Sequence, residues 1–143
     1  MNVVVDTNIF ISALIKDSIT RKIIVKSNHN FIFPEFEFEE IRKHREEILK
    51  KSGLTGKELD ILLLRMLNYV KIIPIEVILK YRKNASEIIG MVDRDDVIFV
   101  ATALAFDAAI WTEDMHFRKQ DKIKVIGTNE MVDGLNHQDF KLG

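Results

Sequence analysis

Acidic residues fall at the places in this chain where a strand ends or a helix begins. Asp6 closes the apolar run Val3-Val4-Val5, Asp114 follows Ile110-Trp111-Thr112, and Asp95-Asp96 opens the apolar stretch Val97–Phe106. In an open parallel sheet, ligands bind outside the carboxyl ends of the strands, so these acids are expected to share one edge. Carboxylates held close together repel, and burial raises their pKa further, so they stay ionised together only around a cation. A donor set of hard oxygens suits Mg2+ or Mn2+. Two such ions roughly 3.5–4 Å apart can activate a water and stabilise the leaving oxygen in phosphodiester cleavage. Each acid taken singly also has a plainer task, because Asp after a strand often forms a turn or caps a helix. Asp95 and Asp96 could do the same at a helix start, where the dipole favours them. The conjunction carries the chemistry.

The elements that must position these acids alternate. Val3–Val5 reads as a buried strand, Ile9–Ile15 and Thr20–Lys26 as helices, and Phe31–Phe33, closed by Pro34, as a second strand. Glu35–Lys51 reads as one long charged helix, stopped at Ser52-Gly53, with Phe38, Ile41, Ile48 and Leu49 on one stripe. Thr55 and Glu58 form a capping box before the apolar helix Leu59–Leu67. Strand Val70–Ile73, helix Ile75–Ile89, the buried helix Val97–Phe106, strands Ala108–Thr112 and Ile123–Ile126 and a short last helix complete the order. Strands alternating with helices imply a three-layer α/β/α sandwich with a mostly parallel sheet of about five strands. The 143 residues contain no linker or repeat and read as a single domain over 1–143.

Composition narrows the chemistry. With no Cys and four His, none in an HExxH spacing, thiolate catalysis and Cys-based zinc sites are excluded. No apolar run reaches the roughly 18 residues of a membrane span, and the N-terminus does not read as a signal peptide. The expected location is cytoplasmic. A net charge of −1 supplies no global basic field, so a nucleic-acid partner would need a local patch or bound metal.

The sequence resembles the PIN-domain family over Val3 to about Ile126. The blocks that carry the likeness are Val3-Val4-Val5-Asp6-Thr7-Asn8-Ile9-Phe10, Pro34-Glu35-Phe36-Glu37-Phe38-Glu39-Glu40-Ile41, Asp95-Asp96-Val97-Ile98-Phe99-Val100-Ala101-Thr102-Ala103 and Trp111-Thr112-Glu113-Asp114-Met115-His116-Phe117. The resemblance implies Asp6, Glu40, Asp96 and Asp114 as metal-holding catalytic acids. Periodicity does not choose between Asp95 and Asp96, and the helical wheel sets Glu37 nearer the apolar face than Glu40; Asp95 and Glu37 are therefore reserve candidates. Thr7, Asn8 and Thr112 are candidates to orient the carboxylates, or equally to cap turns. Many members of the family carry an acid where this chain has His116. A His there is expected to face solvent; otherwise it binds metal or holds a water, which would favour manganese. The resemblance implies a Mg2+- or Mn2+-dependent endoribonuclease acting on single-stranded RNA, as the toxin of a toxin–antitoxin pair or an RNA-processing enzyme. It also implies a homodimer and an antitoxin protein partner.

Two other readings compete. The fold could serve as an inactive scaffold binding RNA or protein, with His116 as the mark of lost turnover. A phosphatase or signalling receiver would use one phosphorylated Asp, but the start Asp6-Thr7-Asn8 lacks a second Asp. Lys16, Arg21, Lys22, Lys26, Arg42, Lys43, Arg45, Lys50 and Lys51 are expected to be mainly ordinary surface charge, with RNA grip as the alternative. The run Leu59–Leu67 is wider than one core stripe, which suits either a two-sided core contact or a protein-facing surface.

Overall fold

A computed structural model describes residues 1–15, 18–90 and 93–135. Five parallel strands form the sheet: β1 (Asn2–Val5), β2 (Asn30–Pro34), β3 (Val70–Ile73), β4 (Ala109–Trp111) and β5 (Val125–Ile126), in the order β3-β2-β1-β4-β5. Val3, Val4 and Val5 are wholly buried, as a central parallel strand covered on both faces requires. The register sets Val3 beside Phe31 and Ala109, and Val5 beside Trp111. The chain builds outward from β1 to β3, then crosses back to β4. Strand order therefore reverses between β1 and β4, which is where an open sheet forms its ligand crevice.

Helices α1 (Thr7–Ala13), α2 (Ile19–Lys26), α3 (Phe38–Lys43) and the last helix, α9 (Thr128–Leu135), pack together on one side. Helices α6 (Ile75–Leu79), α7 (Arg82–Ile89) and α8 (Arg94–Phe106) pack together, and α8 lies directly on β1, β2 and β4. These layers complete the expected α/β/α sandwich. Residues Val97–Ala103 of α8 are all buried, which is why that helix is apolar almost all round. Among the described residues no helix is long and apolar enough to cross a membrane.

Two helices read as continuous are broken. After Pro34 the chain makes a 3-10 turn (Glu35–Glu37), then α3, then bends at His44 (φ −94°, ψ 9°) into α4 (Arg45–Ser52). The apolar stripe survives the bend, since Ile41 and Ile48 are both buried. Periodicity cannot see a bend that keeps both halves on the core. Likewise Ile75–Ile89 divides at Lys80-Tyr81 into α6 and α7. The capping box is formed: Glu58 N donates to Thr55 Oγ1 at 3.2 Å, and Thr55 N donates to Glu58 Oε1 at 3.0 Å, opening α5 (Gly56–Met66). Of its apolar run, Leu59 and Met66 are buried, whereas Ile61, Leu64 and Leu67 are exposed.

Candidate metal centre

Asp6 leaves β1 at the strand-order reversal. Its backbone N–H donates to Trp111 O at 3.0 Å, which ties the end of β1 to the end of β4. The side chain makes no capping bond to α1. Instead Thr112 Oγ1 donates to Asp6 Oδ2 at 2.6 Å, while Thr112 Oγ1 accepts from Asp114 N at 2.9 Å. One buried hydroxyl thus joins the first and fourth acidic blocks across 106 residues. Burial raises the Asp6 pKa, opposed by Thr112 and the amides of Asn8 and Thr7, while the Asp114 carboxylate pushes it further up.

Asp96 enters from the first turn of α8. The helix cap is Asp93, whose Oδ1 accepts from Asp95 N at 2.8 Å, so neither Asp95 nor Asp96 performs the capping job available to it. Asp93 was legible only as an Asp before a helix, with no signal setting it apart from its neighbours. The Asp96 carboxyl is pushed up to about 6, first by burial and then by Asp93, with smaller contributions from Asp114 and Asp6; His116 opposes them. His116 does not face solvent as expected. Its Nδ1 lies 2.8 Å from Asp96 Oδ2, and its backbone N–H donates to Asp114 Oδ1 at 2.9 Å. The imidazole turns inward onto a buried carboxylate that has no other ion-pair partner among the described residues.

Glu37 and Glu40 part company. Phe38 meets the stacked rings of Phe10 and Phe33 edge-on and so fixes the start of α3. That anchor leaves Glu37 only 1% exposed, with no hydrogen bond to either carboxylate oxygen. Burial pushes its pKa up to about 8, and the adjacent Asp95 carboxyl, Glu40 and Asp6 add to it. A proton on Glu37 would bridge it to Asp95. Glu40 is half-buried and pairs with Lys43 at 3.1 Å, yet lies within charge reach of Glu37 and Asp95. The wheel's preference for Glu37 as the inward residue matches this placement.

Of the proposed orienting groups, Thr112 alone binds a carboxylate through its side chain. The Thr7 hydroxyl is buried without a partner, and Asn8 is exposed. Thr112→Val would strip Asp6 of its side-chain donor and Asp114 N of its acceptor. Such a loss costs about 1–3 kcal/mol of stability and about 10–100-fold in cation affinity; urea unfolding and calorimetric titration with Mn2+ measure the two.

The sequence profile of the PIN domain matches residues 4–132. The chain belongs to the PIN-domain family. No curated protein sequence matches this PIN domain. Solved structures share its fold. VapBC2 from Rickettsia felis, bound to a DNA fragment from its promoter, aligns with a TM-score of 0.66 at 15% identity, over 89% of this chain and 98% of that one. VapBC-1 from nontypeable Haemophilus influenzae gives 0.60 at 18% identity over 89% and 98%. FitAcB from Neisseria gonorrhoeae gives 0.52 at 17% over 87% and 96%.

Does this PIN domain fit a divalent cation? Four carboxyls near this edge, Asp6, Glu37, Asp95 and Asp96, are held above their ordinary range by burial and by neighbouring acids. Both Glu37 oxygens are buried and unpaired. A hard cation beside any of these oxygens would relieve the penalty on that carboxylate's charge. Among the described residues no three His, Cys, Asp or Glu side chains stand ready-made as an ion cage. One oxygen of each of the three Asp carboxylates is engaged within the protein: Asp6 Oδ2 by Thr112, Asp96 Oδ2 by His116 and Asp114 Oδ1 by the His116 amide.

Proposed function

We propose that this PIN domain is a metal-dependent endoribonuclease for single-stranded RNA, with Asp6, Asp96 and Asp114 holding Mg2+ or Mn2+. The supporting observation is the Asp6–Thr112–Asp114–His116–Asp96 chain of contacts at the strand-order reversal. Glu37 supplies a buried carboxyl beside it and Glu40 an outer one. When bound, the ion supplies the Lewis acidity that makes water nucleophilic near neutral pH and stabilises the leaving oxygen.

The residues do the rest. Thr112 holds Asp6 in one rotamer and ties it to the Asp114 loop, so two ligands move as one. The burial of Asp6 and Asp96 keeps bulk water from screening the charge they present. His116 Nδ1 pairs with Asp96 Oδ2, an oxygen that would also serve a bound ion. Glu37, with its carboxyl raised to about 8, stays largely protonated near neutral pH and so adds little negative charge to the site until a cation draws the proton off.

The partners that accompany this reading are an antitoxin protein and a second copy of the chain, with the exposed Ile61 and Leu64 of α5 and Leu67 just after it offering the apolar surface, in a cytoplasmic setting. The direct test is incubation of labelled single-stranded RNA with the protein plus Mn2+, Mg2+ or chelator. Cleavage with either ion and none with chelator is expected. RNA binding without cleavage under any condition would instead favour the inactive scaffold.

A further inference from the structure

The basic residues singled out along the first helices and on α3 and α4 are mostly occupied. Arg42 pairs with Glu39, Lys43 with Glu40, Arg45 with Asp60 and Lys51 with Glu47, and Arg21 donates to the carbonyls of Ala13 and Ile15. Lys16 lies outside the described residues. Two other guanidiniums behave differently. Among the described residues, neither Arg82 nor Arg94 forms an ion pair, and both border one cavity of about 190 Å³. Arg94 lies over the face of Phe36 at 4.8 Å from the ring centroid. Apolar side chains, notably Ile75, Leu79 and Val97, line the rest.

The place of this cavity in the fold matters. Phe36 follows the carboxyl end of β2 and precedes Glu37; Ile75 follows the carboxyl end of β3; Arg94 precedes Asp95 in the first turn of α8. The groove therefore opens on the same sheet edge as the carboxylates, one step further along. Its volume is below the roughly 300 Å³ at which pockets for drug-sized ligands begin, which suits one planar ring. An aromatic wall serves any base, because every base has a π-face. Guanidiniums at the rim that form no ion pair among the described residues complement phosphates. Phe36 is 37% exposed, an uneconomical placement for a purely structural aromatic.

We propose that this groove is a base-binding subsite for single-stranded RNA: one unstacked base packs against Phe36, Ile75 and Leu79, and Arg82 and Arg94 hold the flanking phosphates. This inference rests on the nuclease reading, since it assigns the substrate's neighbouring nucleotide to a surface beside the carboxylates. It predicts recognition of unpaired RNA, as bases in a duplex are stacked and unavailable.

The experiment is equilibrium binding of a fluorescein-labelled single-stranded RNA oligonucleotide in chelator, by anisotropy, over a range of salt. Phe36→Ala is expected to weaken binding about tenfold or more. Arg94→Ala is expected to flatten the slope of log K against log salt by about 0.7, the loss of one phosphate contact on a single strand. Arg42→Ala, a control for a guanidinium already paired, should leave the slope unchanged. Melting curves establish that each variant is folded, and Phe36→Trp should restore affinity where Phe36→Ala loses it. Wild-type affinity and slope in both Phe36→Ala and Arg94→Ala, with RNA still cleaved by the parent protein, would overturn the subsite and leave the nuclease intact; the groove would then suit a protein segment. A parent protein that neither binds nor cuts RNA would overturn both.

Discussion

Asp6→Asn is expected to lower RNA cleavage by at least about a hundredfold while leaving the protein folded, with a melting temperature in chelator equal to or above that of the parent. The two halves have one cause. Asp6 is 7% exposed, and burial raises its pKa. Its charged form is therefore penalised in the folded state without a cation. The sign follows directly. A carboxyl whose folded pKa is raised contributes most stability below its unfolded pKa and loses it as pH rises through the folded value. At neutral pH the Asp6 charge costs stability, and the neutral amide removes that cost while its oxygen still accepts from Thr112. Electrostatic groups acting on the reacting centre are worth about 10²–10³-fold each, which sets the expected loss of turnover. Initial rates with Mn2+ and thermal melts in chelator decide the matter. Turnover within tenfold of the parent would remove Asp6 from the catalytic set, and a markedly lower melting temperature would show it to be structural.

Glu37→Gln should produce the largest pH-dependent effect on stability. The Glu37 carboxyl rises from 4.5 to about 8, through burial and the facing acids Asp95, Glu40 and Asp6. Below pH 4.5 the folded and unfolded chains both carry the proton, and the penalty is absent. Between pH 4.5 and 8 the unfolded chain ionises first, so folding loses stability at up to about 1.4 kcal/mol per pH unit. Above pH 8 the loss is complete. Asp96, raised from 3.8 to about 6, adds the same trend at lower pH. Gln cannot ionise, and its amide can donate to Asp95. Urea unfolding in chelator should therefore find the variant level with the parent at pH 4.5 and more stable by on the order of a few kcal/mol at pH 8. Mn2+ should stabilise the parent more at pH 8 than at pH 5, because ions and protons compete for the same oxygens. A constant difference across pH, or a variant weaker at pH 8, would mean that Glu37 is not the titrating group.

What the sequence by itself determined was the order of strands and the edge on which the acids stand. Val3–Val5 reads as a buried strand, since three successive β-branched apolar residues suit cover on both faces. The all-round apolar α8 reads as an interior helix. Once both are placed, Asp6, Asp96 and Asp114 share one end of the sheet. The choice between Glu37 and Glu40, the cap at Asp93, the inward turn of His116 and the meeting of Phe36 with Arg94 were decided by tertiary structure. Each depends on contacts between segments far apart in the chain or on a helix bend that periodicity passes over. The Phe10–Phe33–Phe38 cluster buries Glu37, and the Asp114 loop delivers His116 to Asp96. Local pattern reports which face of an element is apolar; only packing reports what each polar side chain finds when it arrives there.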